Sequence, residues 1–204
     1  MSIITISREY GSGGHSIGRR VARELGIEFY DKDIIRNAVK ETGLEYDVIR
    51  NEDEEISRTD AFLRMITPSA YTDRRETIHS AEIRAILTLA QKGDCVLLGR
   101  CADAILEEAN IEALNVFLYA DELHRAIRVS RLIDSRNATE IQRTMKRTDA
   151  ARRNFYQQFT NRKWGDWHNY NLMLDTGLLG YDTCVKLICD AARGLHSESN
   201  IEDK

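Results

Sequence analysis

The opening of the chain restricts the fold more than any other feature. A β-branched run, Ile3–Ser7, meets the glycine cluster Gly11-Ser12-Gly13-Gly14, and a helical pattern of Ile17, Val21 and Leu25 then runs to Gly26. β-Branched side chains favour a pleated strand, glycines allow a tight reversal, and apolar residues four apart make one helix face. Strand, loop and helix in that order place backbone amides at a helix N-terminus, where they can bind phosphate oxygens. A tight turn with Ser16 capping the helix is the other reading of the same residues.

Strand and helix continue to alternate. A short strand at Glu28–Tyr30 precedes a helix from about Asp33 to Lys40, and long amphipathic helices are expected over Glu52–Ile66 and Asp73–Gln91, ended by Gly93. The continuous apolar runs Cys95–Leu98 and Leu114–Leu118 suit parallel strands buried on both faces. A last unit joins Leu172-Met173-Leu174 to a helix from about Gly180 to Leu195. The pattern predicts an α/β fold with a parallel sheet flanked by helices. Ligands of such sheets collect beyond the carboxyl ends of the strands. Four segments fall there: Ser7–Ser16, Asp31, Gly99–Arg100 and Asp175–Thr176.

With 204 residues, one proline and no Ser/Gly/Pro-rich run, the chain is expected to form one compact domain. The apolar start Ile3–Ile6 is too short for a signal-peptide core and no later run reaches membrane-spanning length, so a cytoplasmic protein without a membrane partner is expected. Cys95, Cys101, Cys184 and Cys189 lack CxxC spacing and are expected to be reduced core thiols. His79, His124, His168 and His196 lack metal-ligand spacing and are assigned no role. The net charge of −4 argues against nucleic acid as a partner. It hides an asymmetry, because Arg143–Lys163 carries seven basic residues and one acid, whereas Glu41–Asp60 carries eight acids and two arginines. The basic run suits a polyanion clamp, or a solvated helix face supported by pairs such as Asp149–Arg153. Trp164 and Trp167 are expected to pack on the core rather than stack on a base.

The ordered segments resemble the cytidylate-kinase-like family, a branch related to bacterial CMP kinases. Gly11-Ser12-Gly13 resembles the phosphate loop, Phe29-Tyr30-Asp31 the element after the second strand, and Val96–Arg100 the strand ending in a Gly-Arg pair. Phe117–Ala120 with the basic helix Glu122–Arg131 resembles the fourth strand and its helix, Arg147–Arg153 the arginine-rich lid, and Leu172–Thr176 the last strand and base-side loop. Tyr156, Thr160, Lys163–Gly165 and Asn169-Tyr170 are similar to this branch more than to CMP kinase proper. The resemblance implies a three-layer P-loop fold forming a single domain over residues 1–204. Its core would be 1–40, 92–135 and 170–195, with a helical acceptor-side excursion at 41–91 and a lid at 136–169. It further implies phosphoryl transfer from ATP, with Mg²⁺, to a nucleoside monophosphate such as CMP. Gly11, Ser12, Gly13, Gly14, His15 and Ser16 would then hold donor phosphates, with Ser16 also approaching the metal. Asp31 and Arg100 would contact the acceptor, Asp175 and Thr176 would form the base-side loop, and Arg147, Arg152 and Arg153 would close over the transferring group.

The sequence departs from that pattern at three places. Gly14 stands where the phosphate-binding lysine belongs, Arg8 where the loop motif begins with glycine, and Leu98 where CMP kinases carry an aspartate before Gly-Arg. Arg8 is the leading substitute for the lysine, with His15, Arg19 and Arg20 as alternatives, and Asp31 or Asp103 is the substitute for the aspartate. An active nucleotide kinase is therefore weighed against a nucleotide-binding regulator that has lost catalysis and a scaffold acting through protein partners. The helical excursion is a candidate surface for a homo-oligomer.

Overall fold

The structure is a computed structural model and describes residues 2–41 and 68–194. The expected helix Glu52–Ile66, nearly all of the acidic stretch Glu41–Asp60, and His196 lie outside those residues. The described elements are β1 (Ile3–Arg8), α1 (Gly14–Leu25), β2 (Glu28–Tyr30), α2 (Lys32–Glu41), α3 (Pro68–Lys92), β3 (Cys95–Leu98) and α4 (Ala102–Glu108). They continue with β4 (Leu114–Tyr119), α5 (Glu122–Leu132), α6 (Ala138–Thr160), a 3-10 turn at Trp167–Asn169, β5 (Leu172–Asp175) and α7 (Thr176–Gly194).

The five strands form one parallel sheet in the order β2-β3-β1-β4-β5. Parallel neighbours cannot be joined by tight hairpins, which accounts for the helical sequence between the strands. Successive strand residues point to opposite faces, and both faces are covered. Ile3, Cys95 and Leu97 pack with Ala81, Ala85, Ile86 and Leu89 of α3 and Ile105 and Leu106 of α4. On the other face Ile4, Ile6, Val96, Leu98, Val116 and Leu118 pack with Ile17 and Val21 of α1 and Val185 and Ile188 of α7. Each fully buried aliphatic side chain there contributes about 1.5–3 kcal/mol of transfer free energy, so this three-layer arrangement is the main source of stability.

β1 lies at the centre, with β3 on one side and β4 on the other. The strand order reverses at β1, and its carboxyl end therefore opens into the crevice where ligands of such sheets bind. The expected helix Asp73–Gln91 is the longer α3, and the helix expected from Gly180 begins at Thr176 with Gly180 (φ 74, ψ 162) as an internal kink. Gly180 breaks the helical dihedrals at the point where the sequence suggested a start. All four cysteines are free and buried. No helix among the described residues is long and apolar enough to cross a membrane.

Candidate active site

The loop from β1 to α1 is fixed by two glycines with left-handed φ, Gly11 (+88°) and Gly13 (+87°). Both are also crowded. A Cβ on Gly11 would lie 2.8 Å from the Arg125 carbonyl oxygen, and one on Gly13 would lie 2.3 Å from the Tyr181 hydroxyl. Ser12 is buried; its Oγ donates to the Glu9 carbonyl (2.9 Å), and its own carbonyl accepts from Thr176 Oγ1 (2.8 Å). Thr176 Oγ1 also lies 3.1 Å from the Tyr119 carbonyl, so it ties the loop to the ends of β4 and β5. Side chains of Asp31, Asp121, Asn137 and Asp175 accept from the first-turn amides of α2, α5, α6 and α7. The N-cap of α1 is Gly13, which provides no side-chain acceptor. The first amides of α1 are thus left open to an anion, in the field of the helix dipole.

Arg8 crosses from this loop to the end of β3. Its stem covers Gly14, where a Cβ would lie 2.7 Å from Arg8 Cγ, and its guanidinium lies over Gly99, where a Cβ would lie 2.3 Å from Nη1. The side chain absent at position 14 leaves the space that Arg8 occupies. A cavity of about 40 Å³ opens beside it, walled by Arg8, Arg100, Arg152, Phe155, Tyr156 and Trp164. That is room for about three waters, the scale of one phosphate group. Arg152 Nη1 donates to the Arg8 carbonyl (2.9 Å), so α6 reaches across the end of β1. Gly99, Arg100 and Cys101 are all left-handed (φ 79°, 57° and 56°). Such a turn is unfavourable for non-glycine residues, and here it directs Arg100 inward.

A second set of charges joins the loop to α5 and α6. Arg125 Nη1 donates to Asp149 Oδ2 (2.5 Å), Arg125 Nε lies 3.4 Å from Glu9 Oε2, and the Tyr10 amide donates to Asp149 Oδ1 (2.7 Å). Burial pushes the Glu9 carboxyl above the usual range, with the Arg125 guanidinium and the Ala120 amide opposing the shift. The expected pair Asp149–Arg153 gives way to Asp149–Arg125, because Asp149 is buried against α5 while Arg153 is exposed and lies over the Trp164 ring. Arg128 Nη2 donates to Ser16 Oγ (2.9 Å) and its guanidinium lies over the Tyr181 ring.

Arg8, Arg100 and Arg152 are therefore brought to one cavity, next to the loop formed by Gly11, Ser12, Gly13, Gly14, His15 and Ser16. Arg147 and Arg153 are exposed on α6. Asp31 caps α2 and lies 3.2 Å from His15 Nε2, and Asp175 caps α7. Asp103 does not replace the missing aspartate: it is buried, accepts from Tyr156 Oη (2.7 Å), and burial raises its carboxyl despite that bond. Trp164 packs edge-on to Phe117 as expected, whereas Trp167 is exposed and stacks on His168. Sequence reasoning missed Arg125, Arg128, Tyr181 and Glu82. The available sign was an acid, Glu82, within the apolar stripe of α3.

For Mg²⁺ the loop offers no ready protein ligand. Its two serine hydroxyls are already engaged, Ser12 with the Glu9 carbonyl and Ser16 with Arg128. No group of three or more His, Cys, Asp or Glu side chains that could hold a metal ion occurs among the described residues, and Mg²⁺ at phosphate sites rests largely on waters and substrate phosphates. The arginines and loop amides do fit phosphate oxygens.

A central phosphate-type loop on a parallel sheet with the order 2-3-1-4-5, flanked by helices on both faces and facing a cavity of arginines, defines the P-loop class of α/β folds. Within that class the chain belongs to the cytidylate kinase-like family, whose family model matches residues 3–178. No curated protein matches the sequence. Among solved structures, an uncharacterized protein from Eubacterium ventriosum ATCC 27560 is similar at 22% identity and TM-score 0.73, over 95% of this chain and 99% of that one. A gluconokinase from Sinorhizobium meliloti 1021 is similar at 19% identity and TM-score 0.55, covering 98% and 97% of the two chains. Shikimate kinase from Acinetobacter baumannii, solved with shikimate, is similar at 14% identity and TM-score 0.51, covering 97% and 96%. At these identities the three structures bear on the fold.

Proposed function

We propose that the protein transfers a phosphoryl group from ATP to a nucleoside monophosphate of the CMP type. The observation that carries this reading is the meeting of Arg8, Arg100 and Arg152 around one phosphate-sized cavity beside the uncapped N-terminus of α1. Phosphoryl transfer asks a protein mainly to position two anions and to neutralise the charge developing between them. In this reading the first amides of α1 hold the donor phosphates, with Arg128 above Ser16 as an additional cation. Arg100 holds the acceptor phosphate. Arg8 bridges the two sites: its stem lies along the donor loop and its head lies over Gly99. Arg152 closes from α6, and Arg147 and Arg153, exposed on the same helix, complete the lid on closure.

Asp31 and His15 shape the acceptor side of the loop, and Asp175 and Thr176 shape the base side through the cap of α7 and the bond to Ser12. Mg²⁺ in this reading would arrive with the triphosphate, and Ser16, held by Arg128, would not be its ligand. The chain acts as one domain, with 68–91 on the acceptor side and 136–169 as the lid.

The test is phosphotransfer from ATP with Mg²⁺ to a panel of monophosphates that includes CMP and dCMP, using the parent, Arg8→Ala, Arg152→Ala and Arg147→Ala. Turnover on one acceptor, lost in Arg8→Ala and Arg152→Ala, is expected. ATP binding without turnover on any acceptor would overturn the kinase reading in favour of a nucleotide-binding regulator.

A further inference from the structure

We propose that Glu82 is a positioning residue that holds Arg100 in its anion-binding orientation; this rests on the reading that the cavity takes the acceptor phosphate. His79, Glu82, Ile86 and Leu89 follow one another at helical spacing on the buried face of α3. Ile86 and Leu89 are ordinary core positions packed against the sheet, and His79 packs on Phe155 and Phe159 of α6. Glu82, only 2% exposed, puts a carboxylate among them. A buried ion pair gives little net stability, since desolvation offsets its attraction, and its best-attested use is to fix one arrangement.

The arrangement fixed here is that of Arg100. Its side chain is 8% exposed, and its Nε lies 3.2 Å from Glu82 Oε1. Phe155 lies on its other side, with the guanidinium carbon 5.3 Å from the ring centroid. His79 closes the pocket behind, with its Nδ1 3.9 Å from Glu82 Oε2 and its ring 3.8 Å from that of Phe159. Glu82 thus takes the Nε side of the guanidinium. The contact is a charge pair rather than a hydrogen bond: Nε and Nη2 are both buried without a hydrogen-bond acceptor among the described residues, on a residue that walls the cavity. A planar guanidinium held along one edge presents its other edge to an oxyanion in a set direction. The left-handed Arg100 backbone supports the same conclusion, because an unfavourable conformation persists where the surroundings enforce it.

The experiment measures affinity for inorganic phosphate by calorimetry, without nucleotide or turnover. Glu82→Gln keeps the shape but removes the charge paired with Arg100, and is expected to fall between the parent and Glu82→Ala. Glu82→Ala, which removes the carboxylate, is expected to bind about tenfold more weakly. Glu82→Met fills the original volume without a carboxylate and should show the same loss, which keeps the test available if Glu82→Ala does not fold. In an Arg100→Ala background neither Glu82 substitution should weaken binding further. Parent-like binding by Glu82→Met, or a loss that persists without Arg100, would overturn the role of Glu82 and leave the cavity reading intact. Failure of the parent to bind phosphate at millimolar concentration would overturn both.

Discussion

The relation between Gly14 and Arg8 can be tested by exchanging their volumes. A Cβ at position 14 would lie 2.7 Å from Arg8 Cγ, 3.0 Å from its Cβ and 3.3 Å from its Cδ. The nearest atom belongs to the start of the side chain, which cannot swing away as a guanidinium tip can. Gly14→Ala should therefore behave as an overpacked site and cost about 1–3 kcal/mol. For a chain of this size that is a fall in Tm of about 3–9 °C, at roughly 3 °C per kcal/mol. Arg8→Ala removes the Cγ and Cδ contacts, so Gly14→Ala should cost less than about 1 kcal/mol in that background. The two substitutions should then couple by about 1 kcal/mol or more, outside the usual additivity of independent sites. Denaturant unfolding of the four proteins measures this. The functional counterpart is Gly14→Lys, which should impair triphosphate binding alone and improve it when added to Arg8→Ala. If Gly14→Ala costs the same with and without the Arg8 side chain, Arg8 does not fill the missing lysine's place and its proposed bridging role falls.

Other parts of the site make separate predictions. Asp149→Ala leaves Arg125 without its closest partner and the Tyr10 amide without its acceptor, so it should lower unfolding free energy by about 3 kcal/mol; a loss below about 1 kcal/mol would refute that role. Tyr156→Phe removes the donor to the buried Asp103 carboxylate and should cost about 1–3 kcal/mol, partly recovered by adding Asp103→Asn. Glu9 has its folded-state pKa raised by burial, so ionisation costs the parent stability as pH rises from the ordinary glutamate range through the raised value. Glu9→Gln lacks that cost, and denaturant melts should show its stability relative to the parent improving from about pH 4 to pH 7; a constant difference would count against the burial argument. Burial pushes the Cys95 thiol up to about 11 and Cys101 higher still, so thiol reagents at neutral pH should label neither until the protein unfolds.

The sheet was legible because its strands obey one-dimensional rules. Ile3–Ser7 and Cys95–Leu98 are apolar runs of strand length, and the change to helical spacing at Ile17 marks where the loop must lie. The positions of Arg8 and Arg100 at strand ends were legible for the same reason. Their convergence depends on strand order: β3 and β4 flank β1 although neither is next to it in sequence, and spacing along the chain does not contain that information.

Helix α5 shows a different limit. Its apolar residues Leu123, Ile127 and Leu132 are 68%, 47% and 55% exposed, whereas Val129 is buried and Arg125 turns inward. A reading by hydrophobic pattern alone would rotate the helix so that the leucines faced the core. The observed orientation follows from long-range charge. Glu9 and Asp149 come from opposite parts of the chain and are only partly accessible, so each needs a cation where little water reaches. Arg125 meets both, and the same turn of α5 carries Arg128 to Ser16. Exposing three aliphatic side chains costs a few kcal/mol at most on the scale of about 25 cal/mol per Å², which is comparable to leaving one buried carboxylate unpaired. The helix that a propensity argument would assign to packing is therefore held by the charges of the phosphate loop, and its orientation is part of the site.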